Sequence, residues 1–242
     1  MNNVNWVQVF VDILQAIISG IFVGLTLFWL DERRALRERR LSDFRIASNW
    51  SSTKSKVSLR YFDLRKSNLS GRSFVKADVE RVSFFKSSLW ATDFSSANLR
   101  HADFRKAKIV GSKFINAKIN NADFSNAMIR KGSDPITGKA VDFSGAEMHG
   151  CKFTGSRISG IVMRGADLFR TDFSHANVTD TDFSDADLTD TKWKKVKQVK
   201  NCTWKNVKVG KQDDFPKYLW DEIQIQNKSP SKQPAKKKQY AE

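Results

Sequence analysis

From Leu59 onward every fifth residue is apolar for fifteen consecutive positions: Leu59, Leu64, Leu69, Phe74, Val79, Phe84, Leu89, Phe94, Leu99, Phe104, Ile109, Phe114, Ile119, Phe124 and Ile129. The spacing resumes at Phe143 and runs through Met148, Phe153, Ile158, Met163, Leu168, Phe173, Val178, Phe183, Leu188 and Trp193. A helix repeats every 3.6 residues and a strand every 2, and neither sustains an unbroken five. A chain that turns a corner every five residues does, and such self-similarity marks a repeat architecture. Two residues before each of these 26 positions stands Ala, Ser, Thr, Val or Cys, except at Phe62, Arg72 and Ile161.

Asp or Asn often lies between the small and the large residue, as in NADFSN, GADLFR, HANVTD and DADLTD. Across residues 57–193 the sequence resembles the pentapeptide repeat family, whose unit is A(D/N)LXX. The resemblance implies a right-handed quadrilateral β-helix of four pentapeptides per coil, an all-β solenoid of six to seven coils, with large and small apolar residues both pointing inward. Twenty residues per coil would put the Phe residues, which recur every ten, on two opposite sides. Leu, Ile and Val would then line the other two sides. Cys151 occupies a small inward position, and Gly145, Gly150, Gly155, Gly160 and Gly165 occupy successive corners, where φ > 0 is favoured. Residues 132–140 break register as a looped-out insertion. Beyond residue 193 a slipped coil is expected, then a helical cap over 213–226 with Phe215, Leu219, Trp220 and Ile223 on the open end. The basic tail, 228–242, reads as disordered.

Ahead of the repeats, Ile13–Leu30 is an uncharged run of eighteen residues. As a helix it would measure ~27 Å, near the ~30 Å of a bilayer's hydrocarbon core. Trp6 and Trp29 bracket it, and Arg33, Arg34, Arg37, Arg39 and Arg40 follow. By the positive-inside rule these arginines set the topology, with the N-terminus outside and the repeats in the cytoplasm. The expectation is a single transmembrane helix over 1–30 in the inner membrane of a bacterium, then a basic juxtamembrane helix or linker over 31–56. Gln8, Asp12, Gln15 and Ser19 form a polar seam, and Gly20 and Gly24 a GxxxG pair, which together suggest self-association into a homo-oligomer.

The chain carries 42 basic and 26 acidic side chains, a formal +16. Residues 57–131 hold 15 basic and 6 acidic groups, and residues 141–193 hold 5 and 9, so the rod is basic toward the N-terminal anchor and acidic away from it. Lys66, Lys86 and Lys106 are expected to stack in a column, with Arg65 and Arg105 beside it and Arg60, Arg81 and Arg100 on the adjoining side. Val75, Trp90, Val110 and Ile115 are candidates for an apolar contact patch on the remaining sides.

No nucleophile, metal-ligand or cofactor motif accompanies His101, His149 and His175, and two cysteines supply no metal site. Catalysis, cofactors and metals are therefore not expected. The principal expectation is a membrane-anchored cytoplasmic scaffold that binds a protein partner or the inner leaflet through the rod. The alternative is an oligomeric membrane effector or pore assembled through the N-terminal helix. Gyrase or nucleic-acid binding is the weaker expectation, since only Phe85 interleaves with the basic column.

Overall fold

In the computed structural model, residues 6–50, 58–133 and 138–228 are described, without the side chains of 6–9, 11–13, 16–17 and 228. A helix, α1 (Trp6–Ser48), leads into a parallel β-solenoid, which ends in a helix, α2 (Lys217–Lys228). α1 runs on past residue 30, so the segment over 31–56, expected as a basic juxtamembrane helix or linker, is helical as far as Ser48. Nothing in residues 31–48 breaks a helix: there is no Pro or Gly, and Arg, Leu and Glu are strong helix formers. Among the described residues no helix is long and apolar enough to cross a membrane. Of the run Ile13–Leu30, the side chains of Ile13, Ala16 and Ile17 lie outside the described residues, as do those of Gln8 and Asp12. Residues 134–137 of the insertion and the tail from 229 on are also outside them.

The solenoid has four sides. Bridges pair Asp63 with Ser83, Asn68 with Ser88, Ser73 with Asp93 and Asp78 with Asn98, so one coil takes twenty residues. The step lengthens to 29 where the insertion is looped out (Met128 with Arg157) and to 21 at the slipped last coil (Asp182 with Thr203). About six turns, stacked at ~4.8 Å, give a rod of ~29 Å. We name the sides by their first central residue: the Leu59, Leu64, Leu69 and Phe74 faces.

Phe occupies two opposite sides as expected. On the Leu64 face Phe84, Phe104, Phe124, Phe153, Phe173 and Trp193 stack with ring centroids 4.4–5.2 Å apart. On the Phe74 face Phe74, Phe94, Phe114 and Phe143 do the same, Met163 interrupts, and Phe183 and Trp204 resume. The two ladders meet edge-to-face, as at Phe94–Phe104, 6.2 Å, the arrangement favoured by the ring quadrupole. Small inward residues fit beside these rings, and where they are polar they are satisfied: Ser112 Oγ donates to Leu89 O (2.6 Å) and Thr171 Oγ1 to Met148 O (2.9 Å). Cys151 is fully buried, its Sγ donating to Ile119 O, and burial pushes the thiol up to about 12. Phe62 and Arg72, two of the three exceptions to the small-residue rule, belong to the first coil, which has no coil beyond it. Arg72 instead donates to Ser48 O at the end of α1 (3.1 Å).

Corners are left-handed, and lysines and asparagines adopt φ > 0 there as well as glycines. The strain is offset by hydrogen bonds from corner N–H groups to the next coil, such as Lys66 N to Phe85 O (2.8 Å). At Gly150 (φ +64°) a Cβ would also lie 2.8 Å from Asn121 Oδ1 in the coil above. Gly150→Ala should cost about 1–2 kcal/mol. Denaturant midpoints test this, with Asn121→Gly in the same chain expected to restore only the steric part.

Helices close both ends. Phe44, Ala47 and Trp50 pack on the first coil, and Asp43, only 8% exposed, accepts from Asp63 N (2.9 Å). Asp43 stands twenty residues before Asp63 and so holds the place of a preceding coil. At the other end Phe215, Leu219 and Ile223 are buried over Trp193 and Trp204, as expected.

Candidate functional site

The outward positions flank each central residue, and their Asp residues serve the backbone first. Arg105 N donates to Asp103 Oδ1 (3.0 Å), Ser125 N to Asp123 Oδ1 (2.8 Å) and Ser184 N to Asp182 Oδ1 (2.9 Å), the turn that Asp and Asn favour. His101, His149 and His175 are exposed, and only His149 meets a carboxylate, that of Asp167. Among the described residues no group of three His, Cys, Asp or Glu is placed to hold a metal ion. The outer faces, where these side chains emerge, are the candidate site.

On the Leu59 face opposite charges from different coils pair. Arg60 pairs with Glu80 and Asp78, and Arg100 with Glu147. On the Leu64 face Arg65 and Arg105 each fold onto the Asp of their own pentapeptide, Asp63 and Asp103. Arg65 holds Asp63 below the usual carboxylate range. Burial pushes Asp103 the other way, but Arg105 and the turn outweigh it and the net shift is downward. Depressed carboxylates contribute stability above their ordinary pKa and lose it as pH falls below about 4. Arg60, Arg65, Arg100 and Arg105 are thus paired with carboxylates, unlike Lys66, Lys86 and Lys106, which occupy the left-handed corner between the Leu64 and Leu69 faces on successive coils. Arg81 lies on the neighbouring corner with Glu80 and Tyr61.

The apolar candidates separate. Val75 and Ile115 are half-buried on the Phe74 face, whereas Trp90 and Val110 pair on the Leu69 face. Trp90 is 38% exposed but Val110 only 2%, so no continuous apolar patch forms. Gln15, Ser19, Gly20 and Gly24 are exposed on α1, and a Cβ at either glycine would meet nothing. Arg33, Arg34, Arg37 and Arg39 are exposed further along it, with Arg33 over the Trp29 ring and Arg40 half-buried near the first coil.

The Leu69 face departs from the others. Its outward residues are Asn68 and Ser70, Ser88 and Trp90, Lys108 and Val110, Met128 and Arg130, Arg157 and Ser159, Asn177 and Thr179, then Gln198 and Lys200. No carboxylate is among them. Lys108, Arg130, Arg157 and Lys200 form no ion pair with a described carboxylate, nor do the three corner lysines along its edge. Counting charge along the chain hides this. Residues flanking every fourth repeat would have revealed it.

A family model for pentapeptide repeats matches residues 63–100, 91–126 and 166–192. No curated protein matches the chain. Among solved structures, a trypsin-treated variant of QnrB1, a plasmid-mediated fluoroquinolone resistance protein, is 15% identical over 69% of this chain and 83% of its own, with a TM-score of 0.44. HetL, a pentapeptide repeat protein involved in heterocyst differentiation regulation in the cyanobacterium Nostoc, is 18% identical over 63% and 83%, with a TM-score of 0.24. A pentapeptide repeat protein of the Arabidopsis thaliana thylakoid lumen is 29% identical over 50% and 68%, with a TM-score of 0.27. The coils over residues 63–126 and 166–192 are built from pentapeptide repeats.

Proposed function

We propose that the chain is a membrane-anchored scaffold whose rod binds a macromolecular partner through an outer face. The observation that carries the anchor is the apolar surface left bare on α1. Phe10, Leu14, Ile18, Ile21, Phe22, Val23, Leu25, Leu27, Phe28, Trp29 and Leu30 are all exposed. Water would not tolerate such a surface on a monomer, whereas a bilayer takes it, and the arginines that follow suit the cytoplasmic leaflet. In this arrangement residues 31–39 put ~14 Å of exposed helix between the membrane boundary and the part of α1 that packs on the first coil. The binding role is supported by a rod that is capped at both ends and holds its outward side chains in a fixed coil-to-coil register.

Alkaline extraction of membranes from cells expressing the full chain tests the anchor. The chain should stay in the membrane pellet, and Ile18→Arg with Phe22→Arg should release it, since each charge at mid-span costs about 2.5–3.5 kcal/mol. Recovery of the unaltered chain in the supernatant would overturn the reading.

A further inference from the structure

We propose that the Leu69 face binds a nucleic-acid backbone without reading its sequence; this deepens the scaffold reading by naming the face and the partner. The face is a strip of seven rungs, ~29 Å long. Lys108, Arg130 and Arg157 stand on three successive rungs, so a polyanion lying along the rod meets a cation at every ~4.8 Å step through its centre. Lys66, Lys86 and Lys106 continue the positive charge along one edge, and Lys200 closes the far end. The remaining outward positions are mostly Ser, Thr, Asn and Gln. Lys and Arg together with neutral hydroxyl and amide donors are the side chains that contact phosphate oxygens. Trp90, exposed on the second rung, adds one ring on which a base can stack.

Two other occupants fit less well. A protein interface wants an apolar centre, but Val110 is buried and only Trp90 of the apolar residues is well exposed. A bilayer surface would suit the charge, but α1 leaves the rod at its first coil. Its exposed residues 31–39 run alongside no later coil, so the arm holds the rod away from the membrane that it enters.

The test uses the full chain solubilised in detergent, which leaves the question of membrane insertion to the extraction experiment. Fluorescence anisotropy of a labelled ~30-nucleotide strand, single or as duplex, is read between about 50 and about 200 mM salt. Binding should weaken steeply with salt. The variant Lys108→Gln, Arg130→Gln, Arg157→Gln should lower the slope of log K against log salt by about 2–3, one charge released per lost contact. A control, Lys113→Gln, Lys118→Gln, Lys152→Gln, removes one charge from each of the other three faces and should change the slope by less than about 1. All six side chains point outward, and circular dichroism confirms that each variant is folded. Equal losses in both variants would reduce the effect to net charge and overturn the proposal. So would oligonucleotide binding that survives the first variant, absence of binding, or retention only on vesicles of phosphatidylserine and phosphatidylcholine.

Discussion

Phe124→Ala should lower the unfolding free energy by about 3–5 kcal/mol, the range for removing a fully buried aromatic ring. The ring of Phe124 is stacked on Phe104 (4.6 Å) and Phe153 (4.8 Å) and meets Phe114 and Phe143 edge-on (6.4 and 6.0 Å). Its loss opens a cavity with four aromatic walls, and the fixed ~4.8 Å rung spacing leaves little room for collapse. In a solenoid each coil contacts only its neighbours, so a central break uncouples two halves rather than softening the whole. Phe74→Ala should cost less, because on its outer side Phe74 meets only Trp50, at 6.2 Å, rather than a closely stacked ring. Equilibrium denaturation of both variants measures the difference. A loss below about 1 kcal/mol at Phe124, or an equal loss at Phe74, would contradict the ladder as the main source of stability.

The ladder was legible because the rule that creates it is local: a large residue every five positions and Phe every ten, with coil length doing the rest. The C-terminal cap was legible for a similar reason, since Phe215, Leu219, Trp220 and Ile223 follow helical spacing directly after the last coil. The N-terminal cap was not. Phe44, Ala47 and Trp50 are embedded in an arginine-rich segment whose composition points to the membrane surface, and the telling sign, Asp43 one coil length before Asp63, is a single residue. The candidate face was missed for a different reason. Of the fifteen basic residues in the first run, five arginines (Arg60, Arg65, Arg81, Arg100 and Arg105) pair with carboxylates. Lys108 and Arg130, which do not, are brought to one side with Arg157 of the second run only by the twenty-residue register, lengthened by nine at the insertion. A sequence count of charge cannot separate the two populations, because ion pairing is set by the side on which a residue emerges.

The C-terminal cap should prove as important to solubility as to stability. The last coil presents an open strand edge, and α2 closes it with two side-chain amides. Gln226 accepts from Trp204 N (2.9 Å) and donates to Cys202 O (3.2 Å), and Asn227 does the same for Val207 N and O (3.2 Å each). Asn227 lies one coil length after Val207, so the two amides stand in for the peptide groups of a coil that is not there. The double variant Gln226→Ala, Asn227→Ala keeps Leu219 and Ile223 over Trp193 and Trp204 but unmakes four hydrogen bonds. It should lose about 2–6 kcal/mol, since each backbone group left without its partner costs about 0.5–1.5 kcal/mol where water can replace part of the bond. Leu219→Asp with Ile223→Asp should go further, lifting α2 and baring both the edge and the tryptophan rings. An unpaired edge templates pairing with another chain, so this variant should self-associate in a concentration-dependent way that the first shows only weakly. Thermal unfolding and sedimentation velocity separate the two effects. A loss below about 0.5 kcal/mol in the amide variant would mean that water satisfies the edge unaided, and a monodisperse monomer for the aspartate variant would mean that the last coil needs no cover.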